Sequence, residues 1–305
     1  MIKRRSIKYP LILDGGMSNV LEDQGCDLNH KLWSAKIIET NPQAIVNCHL
    51  TYLEAGANCI TTAGYQATVK GFMDLGYGLT AAKQLVLRSV KLAEKAKSEF
   101  LTKNKIKDNI YIAASMGPYG AYLADGSEYR GAYTISEKEL ASFHLEQIKI
   151  LDASNADFLA FETIPSLVEI KALSGLLIDT TKPAWVSFSC KNDLYINDGE
   201  KISTAAKLLA NHPSVFAIGV NCTAPKHITR IIQTLKNSAP DKRVIVYPNS
   251  GEVYRADSKS WQGISDPNLF QRMAKEWFEN GADILGGCCR IGPDHIRKIK
   301  ALVKA

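Results

Sequence analysis

The chain has 305 residues, of which 46% are hydrophobic, and this is enough to bury a large core in one barrel-sized domain. The net charge of +6 is a mild excess, and the basic residues do not form the aromatic-interleaved stripe that nucleic-acid binding requires. No apolar run reaches the roughly 20 residues that cross a bilayer, and "PLIL" after the basic N-terminus is too short for a signal peptide. Seven scattered cysteines do not suggest a disulfide framework. We therefore expect a cytoplasmic protein with reduced thiols.

Short, nearly continuous apolar runs alternate along the chain with amphipathic helical patterns. Such runs are typical of strands that are buried on both faces. The predicted strands are 11–16, 59–63, 111–117, 158–163, 184–190, 216–222, 244–250 and 283–289. Helical patterns cover 43–56 and 81–100, Ser136 and Glu139 form a capping box before another helix, and a last helix begins near Pro293.

Eight strand–helix units without an intervening linker predict a single α/β domain over residues 1–305, a (β/α)8 TIM barrel. A doubly wound sheet is the alternative. In a barrel, the chemistry lies where the strands end. Polar and thiol groups follow the predicted strands at Asp14, Glu162, Cys190, Asn221, Cys222, Asn249, Ser250, Cys288 and Cys289. These groups should therefore collect at one rim.

The adjacent cysteines at 288 and 289 cannot both face inward on a continuing strand, because neighbouring side chains alternate between faces. The strand must break there, and the glycines before the pair and Gly292-Pro293 after it supply the freedom. A third thiol, Cys222, ends the sixth strand, and even-numbered strands contribute to the same layer of a barrel. We therefore expect the three thiols to converge.

Three convergent thiolates suit one Zn2+ per chain, bound at about 2.3 Å, and leave a fourth position for a substrate. A substrate thiol held there would lose its proton and stay nucleophilic, which predicts alkyl transfer to a thiol. Other interpretations are small buried residues and a redox pair, and Cys190 is a substitute ligand. The six histidines show no paired ligand spacing and are interpreted as ordinary core or surface residues.

The chain resembles the homocysteine S-methyltransferases over almost its whole length. The motifs that carry the resemblance are "LDGGMSNVLEDQG", "LWSAK", "TYLEAGA", "TTAGYQAT", "GPYGAYLADGSEYRG", "FETIP", "GVNC", "YPNSGE" and "GGCCR". "GVNC" followed far downstream by "GGCC" is the zinc signature of that family. The resemblance implies that Cys222, Cys288 and Cys289 bind zinc. It also implies that Asp14 and Glu162 hold the amino group of homocysteine.

The chemistry of Asp14 and Glu162 supports the same role, because two convergent carboxylates would pair with the ammonium of an amino-acid substrate. The alternatives are a turn residue for Asp14 and a cap of the helix after Pro165 for Glu162. Asn221 and Asn249 are predicted to orient the site through hydrogen bonds, and Tyr65 is a candidate wall.

The long connection 117–135 is the candidate donor segment, because loops of more than about 12 to 15 residues are usually functional or disordered, and its aromatic density argues against disorder. Aromatic faces hold a sulfonium cation, and a carboxylate would pair with the ammonium of the donor. The candidates are Tyr119, Tyr122, Tyr129, Tyr133, Asp125 and Glu128. The segment resembles the family branch that uses S-methylmethionine or S-adenosylmethionine. We expect S-methylmethionine to be the best donor, S-adenosylmethionine to be weaker and betaine to be inert.

Two departures from relatives favour a small sulfonium donor. The chain has no room for the folate and cobalamin domains of the large methionine synthases, and it lacks the C-terminal arm of betaine-using enzymes. A sulfonium leaves as a neutral thioether, so that no general acid is needed. The expected partners are small molecules alone, and the expected state is a monomer or weak dimer. Two alternatives stay open: a zinc- or redox-sensing protein without turnover, and a methyltransferase for another acceptor such as selenocysteine.

Overall fold

The structure is a computed structural model that describes residues 7–30, 32–105, 109–255, 260–262 and 265–304. Its main sheet has eight parallel strands, as predicted. The strands of the described residues are β1 (Leu11–Ile12), β2 (Cys59–Thr61), β3 (Tyr111–Met116), β4 (Phe158–Ile164), β5 (Ala184–Phe188), β6 (Val215–Asn221), β7 (Arg243–Tyr247), β8 (Val253–Arg255), β9 (Ser260–Gln262) and β10 (Ile284–Leu285).

The sheet runs in the order β1, β10, β7, β6, β5, β4, β3, β2, which places the last strand beside the first. Leu11 pairs with Ile284 in this register. A parallel bridge between Leu13 and Cys59 then brings the end of β1 against β2. The ring of strands therefore closes, and the (β/α)8 barrel is confirmed over the doubly wound alternative.

Helices follow the barrel strands and cover the outside of the ring. Within the described residues they are α1 (Met17–Asp23), α2 (Ile37–Thr40), α3 (Pro42–Ala55), α4 (Val69–Asp74), α5 (Leu79–Asn104), α6 (Tyr119–Leu123), α7 (Glu137–Asp152), α8 (Leu167–Leu177), α9 (Ile202–Leu209), α10 (Ile228–Ser238), α11 (Pro267–Glu279) and α12 (Pro293–Lys304). The predicted capping box of α7 is present, since Ser136 and Glu139 satisfy each other's backbone N–H groups. Among the described residues, the helices contain no apolar stretch of the length that spans a bilayer.

Two apolar clusters follow from the alternation of side chains along each strand. In β4, Phe158 and Ala160 point into the barrel and belong to the inner cluster, whereas Leu159 and Phe161 pack outward against the helices. The same alternation directs Glu162, the next even residue, toward the interior at the end of the strand. Polar groups can therefore cap a packed barrel interior.

Three features differ from the sequence prediction. The strands β1 and β10 are only two residues long, because the glycine-rich segments that follow them leave the ladder early. The donor segment 117–135 is not a plain loop, since it contains α6 and a 3-10 helix at Ser127–Tyr129. An antiparallel hairpin, β8 and β9, follows β7 and was not predicted.

Candidate functional site

One cavity opens at the C-terminal ends of the strands, and its floor is made of inward-facing residues at the ends of β2, β3, β4, β6 and β7. These are Thr61, Ser115, Glu162, Asn221 and Tyr247, each an even number of residues after an inward-facing residue of its own strand. The remaining lining residues are Asp14, Gly15, Gly16, Met17, Ser18, Trp33, Ser34, Thr62, Ala63, Tyr65, Tyr129, Thr163, Cys222, Gly287, Cys288 and Cys289. Most predicted site residues therefore meet in one place.

The three predicted thiols converge at the edge of this cavity. The Sγ atoms of Cys222, Cys288 and Cys289 all lie within 4.8 Å of one another. Cys289 Sγ is 3.9 Å from Cys222 Sγ and 4.0 Å from Cys288 Sγ. Cys222 and Cys288 are joined as a disulfide, with their Cα atoms 5.7 Å apart. Convergence of cysteine sulfurs 66 residues apart in sequence is thus a property of the fold, but the bond between Cys222 and Cys288 differs from the expectation that all the thiols are reduced.

The donor set fits a metal ion. Tetrahedral coordination at about 2.3 Å places sulfur ligands about 3.8 Å apart, close to the two separations that Cys289 makes. Reduction of the bond between Cys222 and Cys288 would supply the other two thiols. Cys190, the substitute ligand considered above, does not join this group: it is buried, and its N–H donates to Thr223 Oγ1 at 3.1 Å.

The backbone around the thiols is irregular in the way the adjacent cysteines require. Cys222 has a φ of 45° and Arg290 has a φ of 66°, values in the left-handed region that residues other than glycine rarely adopt. The Cys288 N–H donates to Pro248 O at 2.8 Å, which ties the pair to the segment after β7. A Cβ atom at Gly287 would lie 2.0 Å from Ile291, so only glycine fits before the pair.

Asp14 lies at the end of β1 with its carboxylate buried in the cavity wall. It accepts hydrogen bonds from Thr61, at 2.8 Å from the backbone N–H and at 3.0 Å from the hydroxyl. Burial nevertheless raises the pKa of Asp14 to about 8, and the nearby Glu162 carboxylate adds to the rise while the Thr61 hydrogen bonds oppose it. The two acids are thus close enough to repel each other.

Glu162 occupies the cavity floor at the end of β4. The Ser115 hydroxyl donates to its carboxylate, and Tyr247 is a second hydrogen-bond partner. Burial raises the pKa of Glu162 to about 7, and these two hydrogen bonds hold it lower than burial alone would. A cation entering between Asp14 and Glu162 would stabilise both carboxylates in their charged form.

The two predicted asparagines behave differently. Asn221 Oδ1 accepts the Thr163 N–H at 2.7 Å and the Ser187 hydroxyl at 2.8 Å, and Asn221 Nδ2 lies 4.0 Å from Cys288 Sγ. Asn221 therefore links β4, β5 and β6 to the thiols. Asn249 does not line the cavity, because its side-chain oxygen accepts the Gly251 N–H at 3.0 Å and closes a turn.

Tyr65 forms part of the wall, as predicted, and Gly117 makes room for it. A Cβ atom at Gly117 would lie 3.0 Å from the ring of Tyr65. Sequence reasoning missed Thr61, Ser115 and Tyr247 as partners of the acids. The available signal was their position, because each is the inward-facing residue at the end of its strand.

In the donor segment, Tyr129 is the tyrosine that reaches the cavity. It is 49% exposed as a whole residue, while burial around its hydroxyl raises the pKa of Tyr129, with charges on Cys289 and Glu128 adding to the rise. Tyr119, Tyr122 and Tyr133 pack elsewhere. Ring centroids of Tyr122 and Tyr133 each lie 5.6 Å from that of Tyr119, and Phe143 of α7 joins the group at 5.1 Å.

The two acidic residues of the segment differ in exposure and in hydrogen bonding. Asp125 is exposed, and both of its carboxylate oxygens have partners within the segment. Oδ1 accepts the Ser127 N–H at 2.9 Å, and Oδ2 lies 3.5 Å from Arg130. Glu128 is partly buried, and no described residue forms a hydrogen bond with its buried Oε2. Burial raises the pKa of Glu128. A carboxylate with an unsatisfied buried oxygen, next in sequence to the cavity-lining Tyr129, is suited to an incoming cation.

Comparison with known proteins agrees with this geometry. A family model described as homocysteine S-methyltransferase matches residues 11–303. The chain belongs to the homocysteine S-methyltransferase family. It is therefore a methyltransferase, and the predicted family is confirmed. It is 46% identical over 302 residues to homocysteine S-methyltransferase YbgG of Bacillus subtilis, covering 97% of this chain and 96% of that protein.

Two further proteins are similar to this chain over most of its length. The metallated form of the homocysteine methyltransferase MmuM from Escherichia coli superposes with a TM-score of 0.86 at 40% identity, covering 96% of each chain. Selenocysteine Se-methyltransferase of Brassica oleracea is 40% identical over 303 residues, covering 94% of this chain and 87% of that protein.

Proposed function

We propose that this chain is a zinc-dependent enzyme that transfers a methyl group from a sulfonium donor to the thiolate of homocysteine and produces methionine. The observation that carries the proposal is the meeting of three cysteine sulfur atoms and two buried carboxylates in one cavity. Thiol ligands suit a soft metal, and carboxylates suit an ammonium. Homocysteine carries both a thiol and an ammonium group.

Cys222, Cys288 and Cys289 would hold one Zn2+, which when bound supplies a position where a substrate thiol is kept deprotonated. Asn221 supports this arrangement, because its Nδ2 lies 4.0 Å from Cys288 Sγ while its Oδ1 is fixed by β4 and β5. Asp14 would accept the substrate ammonium together with Glu162. These contacts would place the substrate sulfur beside the three cysteines.

The reaction itself needs little from the protein. A lone pair of the homocysteine sulfur forms a bond to the methyl carbon, and the carbon–sulfur bond of the sulfonium breaks with its electrons staying on the donor sulfur. The donor leaves as a neutral thioether, so that no proton has to be supplied to it. The chain's task is to align the two sulfur atoms and exclude water.

The donor would lie under Tyr129, with its ammonium near Glu128. Tyr129 lines the cavity, and Glu128 has a buried oxygen that no described residue satisfies. An aromatic face and a carboxylate are the groups that hold a sulfonium amino acid. We propose S-methylmethionine as the best donor, S-adenosylmethionine as a weaker one and betaine as inert. Small molecules would be the only partners, in a reducing compartment such as the cytoplasm, where the thiols stay free.

A second acceptor is worth testing, because a relative at 40% identity is named a selenocysteine Se-methyltransferase. Selenocysteine carries the same ammonium and a softer nucleophile, which the same residues would accommodate.

The decisive assay mixes zinc-loaded, reduced protein with each acceptor and each donor separately and measures the methylated product by mass spectrometry. We expect methionine from homocysteine and S-methylmethionine.

Replacing Cys222, Cys288 or Cys289 by Ala should remove most of the metal and the activity, whereas Cys26→Ala, a cysteine outside the cavity, should change neither. Full zinc content and normal turnover in Cys288→Ala would overturn the metal assignment. A zinc-loaded protein without turnover on any pair would favour a sensor.

A further inference from the structure

Glu169, which sequence analysis did not single out, is a buried carboxylate outside the cavity. It lies in the first turn of α8 and is fully buried. Its Oε1 accepts the Tyr119 N–H at 2.7 Å and faces His144 Nε2 at 2.8 Å. The Tyr133 hydroxyl donates to its Oε2. One carboxylate therefore receives hydrogen bonds from three separate places.

The partners of Glu169 stand at the two ends of the donor segment. Tyr119 is near its beginning and Tyr133 near its end, while His144, also fully buried, belongs to α7 behind it. Both ends are thus fixed to the same side chain, and Tyr129 lies between them. A buried carboxylate is stable only when its hydrogen bonds are satisfied. Loss of any of the bonds from Tyr119, Tyr133 and His144 would therefore raise the free energy of the folded state.

The middle of the segment is held against the barrel rim as well. The Glu128 carbonyl accepts a hydrogen bond from the Ser189 hydroxyl at 3.0 Å and from Asn197 Nδ2 at 3.4 Å. Gly131, with a φ of 68°, packs so closely that a Cβ atom there would lie 2.9 Å from Pro165 O, just before α8. These contacts leave the segment little room to shift as long as its ends stay in place.

We propose that Glu169 is a positioning residue for the methyl donor: by joining Tyr119, Tyr133 and His144 it fixes the segment in which Tyr129 lines the cavity and Glu128 lies next to it. This inference rests on the proposed function, since it takes the segment to contact the donor. Glu169 itself lies outside the cavity and touches neither the thiols nor the paired acids. Its loss should affect the donor and leave homocysteine almost unchanged.

The test compares Tyr133→Phe and Glu169→Gln with the wild type. Tyr133→Phe removes one hydroxyl and keeps the ring packing, and Glu169→Gln keeps the volume and removes the charge. Tyr77→Phe is the matched control, because its hydroxyl donates to Glu39, outside the segment. Two quantities are measured in zinc-loaded enzyme: the KM for S-methylmethionine against the KM for homocysteine, and the rate of tryptic cleavage after Arg130. Arg130 lies within the segment, and its side chain is 59% exposed.

We expect both variants to raise the KM for the donor about tenfold, because a weakened charge-assisted bond to Glu169 would let the segment leave its position, with the KM for homocysteine within about twofold. Cleavage after Arg130 should become several-fold faster, and Tyr77→Phe should match the wild type in both readouts. Faster cleavage with an unchanged KM for the donor would overturn the donor role of the segment, and with it the positioning role. Unchanged cleavage together with an unchanged KM would overturn the role of Glu169 alone and leave the proposed function standing.

Discussion

Arg290 Nε donates to Glu252 Oε2 at 3.1 Å, which joins the residue after the cysteine pair to the segment after β7. The Glu252 side chain is 6% exposed, and the Ser250 hydroxyl donates to the same oxygen at 2.9 Å. The Ser250 N–H in turn donates to Cys289 O at 3.2 Å. The motifs "YPNSGE" and "GGCCR" therefore form one brace around the thiols.

We predict that Glu252→Gln and Arg290→Lys weaken metal binding although all three thiols remain. Residues that orient metal ligands typically affect metal affinity by about 10- to 100-fold. The measurement is the competition of reduced protein with a chromogenic chelator. Arg230→Lys is the control, since Arg230 pairs with Asp193 at 2.9 Å on the surface, with 77% of its side chain exposed. Equal chelator competition in the brace variants and the control would refute the brace.

A second prediction concerns the acceptor. Asp14→Asn and Glu162→Gln should each weaken homocysteine binding by about tenfold or more, because a charge-assisted hydrogen bond to the ammonium is lost. Metal content should stay at the wild-type level, since neither carboxylate belongs to the thiol group. Calorimetric titration with homocysteine, beside a metal assay, separates the two effects. Loss of metal with intact affinity would reverse the assigned roles.

The raised pKa of Asp14 predicts a dependence of stability on pH. The folded protein binds a proton at Asp14 up to a pKa of about 8, whereas the unfolded chain releases it near 3.8. Between these values the folded state binds more protons, so that the free energy of unfolding falls as pH rises. One such group contributes about 1.4 kcal/mol per pH unit.

Asp14→Asn should remove this contribution and make metal-free, reduced protein more stable than the wild type at pH 8, with a smaller difference at pH 5. Urea unfolding at the two pH values measures it. A stability difference between variant and wild type that does not change with pH would contradict the buried position of the charge.

His49 gives a prediction of the opposite sign. It is fully buried in α3, and neither ring nitrogen has a hydrogen-bond partner among the described residues. Burial lowers the pKa of His49 to about 4 from 6.5, so that the unfolded state binds more protons between these values. The free energy of unfolding should therefore fall as pH drops through this window.

His49→Leu should remove that dependence and stabilise the protein at pH 7 by about 1 kcal/mol or more, because an unsatisfied buried N–H is lost. His144→Leu is the contrasting variant, since it deprives Glu169 of a donor and should destabilise. Thermal unfolding at pH 5 and pH 7 measures both effects. A lower melting temperature for His49→Leu at both pH values would show that the ring has a role in packing.

The donor residues can be tested within one segment. Tyr129→Ala and Glu128→Gln should raise the KM for S-methylmethionine more than the KM for homocysteine, by roughly tenfold for the lost charge. Asp125→Asn should have little effect, because Asp125 is exposed and already bound to Ser127 and Arg130. Steady-state kinetics with each substrate varied in turn gives the comparison. Equal effects of Glu128→Gln and Asp125→Asn would contradict the placement of the donor.

Much of the architecture could be predicted from the chain because strands buried on both faces leave short apolar runs. The end of each run also marks the rim, which is why Asp14, Glu162 and Cys222 were found without a structure. The convergence of Cys222 with the final cysteine pair follows from the numbering of the strands, because alternate strands of a barrel contribute side chains to the same interior layer.

The donor segment shows where this reasoning ends. Its aromatic density correctly indicates a packed structure, but not what the tyrosines pack against. Phe143 and Glu169 come from helices that begin later in the chain, and they draw Tyr119 and Tyr133 away from the cavity. The hairpin was missed because two strands of three residues are too short for an alternating pattern.

The insertion of β10 between β1 and β7 has a consequence for how a cell makes this protein. While the ribosome is still adding residues, both neighbours of the future β10 present open edges, which are prone to pair with other chains. The nascent chain also has Cys222 long before its two companions, and a lone thiol retains a metal ion poorly. In the proposed zinc enzyme, we therefore expect the ring to close before the metal binds, so that metal supply would limit activation rather than folding.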